Sequence, residues 1–403
     1  MKLCISYIYI LFQSIIILST FNKVKCEPQS YEFTSESDYY SLSVRMDPFR
    51  WLMYIDTYNN YSILYDYPGG DEWPQKVLSE SAHLYKKETK TINNFDKQIR
   101  ATEYETQLGL PEGQQLINVN IYYTEETGQD PFVWRNIPTN VKQLSLGFGL
   151  SHNSSFSFIN QLYENKIINE RKFSFEHLSS PHIIIGNRNV TSSYKYNETI
   201  ILKDTDTHWG FPLNSITLNS MKYTIDKFAY INSALREDIA STLIYNVIKS
   251  FFTEQTQSDF NCKETTYRNK LTILCSNDEA LIWPNMTINI GEGTSFSITL
   301  KRFFRCNEER CYLNAIIRNS DDNDNMLINI GKGFLSLFKL IEFDFDKPSI
   351  TFHSNMIAFT KRKSHLINIK YLMIILSVIL SLHIIVLLYC KFYLLHDQTK
   401  NVN

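Results

Sequence analysis

Glycine is scarce in this chain, 13 of 403 residues, about 3% where average usage is roughly 7%. Any site that depends on glycine, whether for a left-handed turn or for close backbone approach, is disfavoured at once. Net charge is also nearly missing. The 40 Lys+Arg and 42 Asp+Glu leave −2, so no field draws a polyanion and no nucleic-acid partner is expected. Tight Cys-x-x-Cys pairs are absent among the 7 cysteines, which argues against a tetrahedral zinc site; no metal and no other cofactor is expected. Aromatic residues, by contrast, are plentiful. With 25 Tyr, 26 Phe and 5 Trp, 43% hydrophobic and 20% charged residues, most of the chain can build packed cores and is not disordered.

Both ends read as targeting segments rather than fold. Lys2 precedes an apolar run from Ile5 to Leu18, and Val24 and Cys26 suit a cleavage site; residues 1–26 are expected to be a secretory signal. Tyr371 to Cys390 carries no formal charge and is interrupted only by Ser377, Ser381 and His383. That length spans a bilayer, so 371–390 is expected to be a transmembrane helix and 391–403 a cytoplasmic tail. Residues 356–370, rich in Lys and Arg, read as a basic stalk. The expected product is a single-pass type I membrane protein whose ectodomain, about 27–366, faces the extracellular space or the lumen of the secretory system.

Cysteine usage agrees with that compartment. Cys262, Cys275, Cys306 and Cys311 are the even set of the ectodomain and are expected to form two disulfides, with three pairings open. Asn60, Asn153, Asn189, Asn197 and Asn285 each begin an Asn-x-Ser/Thr sequon and are candidate glycosylation acceptors.

Short β-branched and aromatic runs dominate the ectodomain, among them Tyr40–Val44, Trp51–Ile55, Leu116–Tyr122, His182–Ile185, Ile216–Leu218, Phe228–Ile231, Met286–Ile290 and Ser349–Phe352. Asn, Gly, Pro and Asp separate them. Only a few segments, such as 156–168 and 238–252, carry helical spacing. Many strands without α/β alternation predict an all-β ectodomain with few short helices.

The order of these runs resembles the pepsin-like aspartic peptidases over nearly the whole ectodomain. Tyr39-Tyr40-Ser-Leu-Ser-Val44 is followed by the strand Tyr54-Ile55 and then Asp56-Thr57-Tyr58, where that family has Asp-Thr-Gly. Tyr104 stands where its flap tyrosine would be. Leu146-Gly147-Phe148-Gly149-Leu150 and Phe173-Ser174-Phe175 match its first-lobe turn and strand, and Trp209 to Leu218 opens a second lobe. Ile330-Gly331-Lys332-Gly333-Phe334 and the strands through Phe352 resemble its closing segment. The resemblance implies a bilobal fold, about 39–205 and 206–355, with one catalytic loop per lobe at a central cleft. It also implies a disulfide closing a loop of some tens of residues.

The chemistry departs from that family. Its two aspartates share one proton, one activating water while the other polarises the scissile carbonyl, so both must titrate. Asp56 fills the first position, but the strand Phe228–Ile231 runs into Asn232-Ser233-Ala234. Asparagine exchanges no proton in the working pH range, and losing one positioned acid or base removes about 10²–10⁴ of rate. The glycines that keep the loops and flap open are replaced by Tyr58, Ala234, Glu105 and Gln107. The resemblance therefore implies a pepsin-like homologue that has lost hydrolysis and binds an extended peptide or protein partner; an active membrane-bound aspartic endopeptidase is the alternative.

Overall fold

The computed structural model describes residues 29–32, 40–46, 49–65, 85–94, 97–110, 116–124, 144–150, 157–177, 181–186, 194–203, 208–235, 237–254, 261–267, 270–277, 282–291, 293–316, 328–361, 377–382 and 384–385. The chain divides into two compact units, Met1–Thr360 and Lys361–Asn403. The described part of the first is mostly β with few helices.

Period-two burial makes the strands. In Leu116–Thr124, Ile117, Val119 and Ile121 point into the core while Leu116 and Asn118 face out, as a half-buried pleated strand requires. Every run named from the sequence falls within a strand or overlaps one. The helix Thr242–Glu254 buries Ile244, Tyr245, Val247, Ile248, Phe251 and Phe252, a stripe at three and four spacing. Its first turn is capped by Ser241, whose Oγ accepts the Ile244 N–H at 3.3 Å.

One pairing pattern occurs twice. In a seven-stranded sheet, the hairpin Ser41–Met46/Phe49–Asp56 places its second strand parallel to Leu144–Gly147, which runs antiparallel to Ile63–Tyr65, itself parallel to Leu116–Thr124. In an eight-stranded sheet, the hairpin Gly210–Leu218/Met221–Ile231 places its second strand parallel to Ile328–Ile330, which runs antiparallel to Ile239–Ala240, itself parallel to Ala315–Ile316. Five strands in the same order and polarity thus recur in the two sheets, whose remaining strands attach at opposite ends of the shared pattern. Asp56 and Asn232 close corresponding strands in the two copies.

A six-stranded sheet interleaves the halves, in the order Gln29–Glu32, Pro181–Ile185, Lys172–His177, Leu340–Asp344, Ser349–Ser354, Tyr196–Ile201. Aromatic packing holds it against the rest. Within the sheet Phe173 and Phe343 are cross-strand partners, stacked at 4.4 Å between centroids; Trp209 of the eight-stranded half meets Phe343 and Phe345 at 5.2 and 4.9 Å and supplies the contact to the rest, each such ring burying on the order of 150–250 Å².

The remaining sheet, Lys263–Tyr267, Lys270–Ser276, Arg310–Leu313 and Phe304–Cys306, carries both disulfides. Cys262 bonds Cys275 and Cys306 bonds Cys311. Their sequence separations are 13 and 5, so neither closes the long loop that the resemblance implied. The short closures follow from the sheet: Cys306 and Cys311 are cross-strand partners in one hairpin, and in the other Lys263 pairs with Leu274, which sets Cys262 opposite Cys275.

Residues 1–26 and 391–403 lie outside the described residues, as does 362–370 of the basic stretch. Within 371–390, Ser377–Leu382 and Ile384–Ile385 are described and helical. Among the described residues no helix is long and apolar enough to cross a membrane. Phe359–Lys361 forms an edge strand of the eight-stranded sheet, so part of the basic stretch is sheet rather than stalk.

Candidate functional site

The two loops that follow the corresponding strands hold each other. The Thr57 N–H donates to Ser233 Oγ and the Ser233 N–H to Thr57 Oγ1, both at 3.0 Å. Each hydroxyl then donates to the other strand's last carbonyls, Thr57 to Ile231 O at 3.0 Å and Ser233 to Ile55 O at 2.7 Å. All four bonds are buried, where a polar group left unpaired costs about 1–3 kcal/mol. The reciprocity fixes one loop against the other and brings Asp56 and Asn232 to the same junction.

Asp56 is fully buried. Its Oδ1 accepts the backbone N–H groups of Tyr58 and Asn59 at 2.9 and 3.0 Å, and its Oδ2 accepts Asn59 Nδ2 at 2.7 Å. Burial pushes the carboxyl above its ordinary pKa, against the pull of those three donors. Asn232 Oδ1 accepts the Ala234 N–H at 3.1 Å, the same two-residue step that Asp56 makes to Tyr58. The two side chains thus play matching structural parts, but only one can titrate. Among the described residues no hydrogen bond joins them. The nearest aspartate on the same strand, Asp226, is exposed in mid-strand with φ 47°, away from the strand end.

The residues that replace glycine are accommodated by packing. Tyr58 does not adopt a positive φ, so nothing in its backbone demands glycine. Its ring leaves the loop and lies against His208 at 4.5 Å and edge-on to Tyr230 at 5.9 Å. Ala234 belongs to a buried apolar cluster with Tyr54, Ile63, Ile92, Ile99, Ala101 and Tyr122. Three of these come from the long hairpin Tyr85–Asn94/Lys97–Gly109, which is thereby tied to the second loop. Tyr104 sits in the middle of Lys97–Gly109, half-buried, with its ring edge-on to Tyr123 at 6.5 Å. The sequence did not mark this hairpin as strand, because charged cross-strand pairs such as Lys90–Glu103 and Lys87–Glu105 build it.

Glycine remains where a Cβ has no room. A Cβ on Gly147 would lie 2.5 Å from the backbone carbons of Asn60 and Tyr61, and one on Gly333 would lie 1.3 Å from Asp238 Oδ1. Lys332, between Gly331 and Gly333, places its ammonium over the Tyr40 ring at 5.2 Å. The Tyr40 hydroxyl donates to His177 Nε2 at 2.6 Å while His177 Nδ1–H donates to Phe338 O at 2.9 Å. Burial, with Lys332 and Lys339 nearby, holds His177 neutral and lowers its pKa to about 4.

Of the sequon asparagines, Asn197 and Asn285 are exposed and Asn60 is half-buried, while Asn153 and Asn189 lie outside the described residues. Among the described residues no group of three or more His, Cys, Asp or Glu is placed to hold a metal ion. Comparison with models of known protein families gives no match, and comparison with curated proteins gives no significant match.

Proposed function

We propose that this chain is a pepsin-like aspartic peptidase homologue that has lost peptide-bond hydrolysis and acts by binding a polypeptide partner. One observation carries the reading: Asn232 stands at the topological mate of Asp56, in a loop locked to the Asp56 loop by four reciprocal hydrogen bonds. A proton-sharing dyad needs two titratable groups, and this pair has one. The repeated five-strand pattern supports taking the two sheets as the two lobes. In this reading 1–26 is the signal and 371–390 the membrane anchor, and the glycosylated, disulfide-bonded ectodomain is extracellular or lumenal.

The buried cluster that joins Ala234 to Ile92 and Ile99 favours a partner docking outside the loops, since a peptide laid between hairpin and loop would split that cluster. A thermal-shift titration of the full-length chain with a random peptide pool and a statine-type transition-state analogue separates the readings. Binding without cleavage predicts a higher Tm with a peptide or protein ligand at micromolar levels and no shift with the analogue. An analogue-induced rise that disappears in Asp56→Ala supports the active endopeptidase instead.

A further inference from the structure

The outer face of the six-stranded sheet contains a cavity of about 190 Å³, several times the roughly 30 Å³ that one water occupies. Two rows of side chains form it. Ser174, Glu342 and Thr351 are aligned across three neighbouring strands, and Lys172, Asp344 and Ser349 form the row beside them. Phe173 and Phe343 alternate with these residues and turn to the core, so the cavity wall is polar.

A count of hydrogen bonds shows which groups are committed. Asp344 Oδ1 accepts the N–H groups of Asp346 and Lys347, both at 2.9 Å, and its Oδ2 lies 3.3 Å from Lys172 Nζ. Lys172 is held as well by Glu170 at 2.7 Å. Glu342 uses Oε2 on His353. Its Oε1 has no partner among the described residues, nor does the hydroxyl of Ser174, although that residue is only 4% exposed. The Ser174 hydroxyl is not a fully buried unpaired group; it opens into the cavity, and whatever fills the cavity supplies its partner. The surroundings decide the sign of what fills the space: Glu170, Glu342 and Asp344 outnumber Lys172, whose charge is already matched. An anion is excluded, and a group that donates several hydrogen bonds while carrying positive charge fits.

We propose that this cavity binds a primary ammonium group, with Glu342 Oε1 as the counter-charge and the hydroxyls of Ser174 and Ser349 as further acceptors; the Thr351 hydroxyl is already hydrogen-bonded to Thr199 at 2.9 Å. An ammonium has three donors and no acceptor, which matches a carboxylate oxygen set among hydroxyls. The ammonium belongs either to a free alkylamine or to a lysine side chain; the chemistry is shared. The site does not depend on the peptidase-homologue reading, because none of its residues lies in the Asp56 or Asn232 loops.

Saturation-transfer NMR on the full-length chain tests this with n-butylammonium, its neutral isostere n-butanol, and Nα-acetyl-lysine N-methylamide. The expected result is saturable binding of an ammonium probe at about millimolar concentration or below, with no butanol signal. Binding of n-butylammonium alone assigns the site to free amines, and binding of both assigns it to lysine side chains as well. Glu342→Gln and Ser174→Ala each weaken binding about tenfold. Ser174→Ala deletes only a hydroxyl and keeps the test valid if Glu342→Gln lowers the melting temperature. Equal binding of n-butanol, or ammonium binding unchanged in both variants, overturns the proposal.

Discussion

Tyr58→Ala lowers the unfolding free energy by about 3–5 kcal/mol, the range for deleting a large buried aromatic side chain. The ring is 6% exposed and rests on His208 and Tyr230, side chains of the second half of the chain. Its loss opens a cavity at the junction that the Thr57–Ser233 bonds also cross, so two independent ties would be reduced to one. Urea denaturation of the wild type, Tyr58→Phe and Tyr58→Ala measures this. Tyr58→Phe is expected to keep most of the stability because the stacking partners remain. A loss under about 1 kcal/mol in Tyr58→Ala would mean that the ring is not packed as described. The substitution matters for the functional reading, because the resemblance places glycine here. The ring is an aromatic tie between the halves.

Asp238→Asn flattens the pH dependence of stability. The Asp238 carboxyl is buried beside Glu237, and burial raises its pKa to about 7 although Asn314 Nδ2 donates to it at 3.0 Å and Arg305 opposes the rise. In the unfolded chain the same group titrates near 3.9. Its folded pKa is the higher one, so the native state binds more protons between these values. The stability it contributes is complete below about pH 4 and is lost as pH rises through about 7. Asparagine removes that loss. Relative to wild type, Asp238→Asn is expected to gain on the order of 2–4 kcal/mol between pH 4 and pH 8, read from urea midpoints at pH 4, 5.5 and 8. His177 runs the other way, since its pKa falls to about 4 on folding and its contribution is lost as pH drops from about 6.5. It is present in both proteins and cancels in the difference. Parallel profiles for the two proteins would contradict the burial assigned to Asp238.

The strands were legible where apolar residues alternate or run together, as in Leu116–Thr124 and Phe228–Ile231; the helix Thr242–Glu254 showed its stripe, while the helical spacing over 156–168 is realised only as Phe158–Glu164. The hairpin Tyr85–Gly109 was not legible, because cross-strand ion pairs and threonine pairs such as Thr89–Thr102 stand between its few buried apolar residues and interrupt the period-two hydrophobic signal. At the site, the sequence showed that Asn232 follows a hydrophobic strand and that Tyr58 stands where the resemblance has glycine. It could not show which way the ring turns, because that depends on His208, distant in sequence. Nor did it single out Thr57 and Ser233, although a hydroxyl at each position is the one available signal: the bonds they form exist only once the halves meet. Disulfide pairing was open for the same reason, since sheet register decides which cysteines face each other.

The junction holds one titratable group where a proton-sharing dyad needs two. Incubating the full-length chain with a random peptide pool from pH 3 to pH 7, with and without a statine-type inhibitor, tests this most directly. The prediction is no inhibitor-sensitive cleavage at any pH; inhibitor-sensitive cleavage that Asp56→Ala abolishes would contradict it.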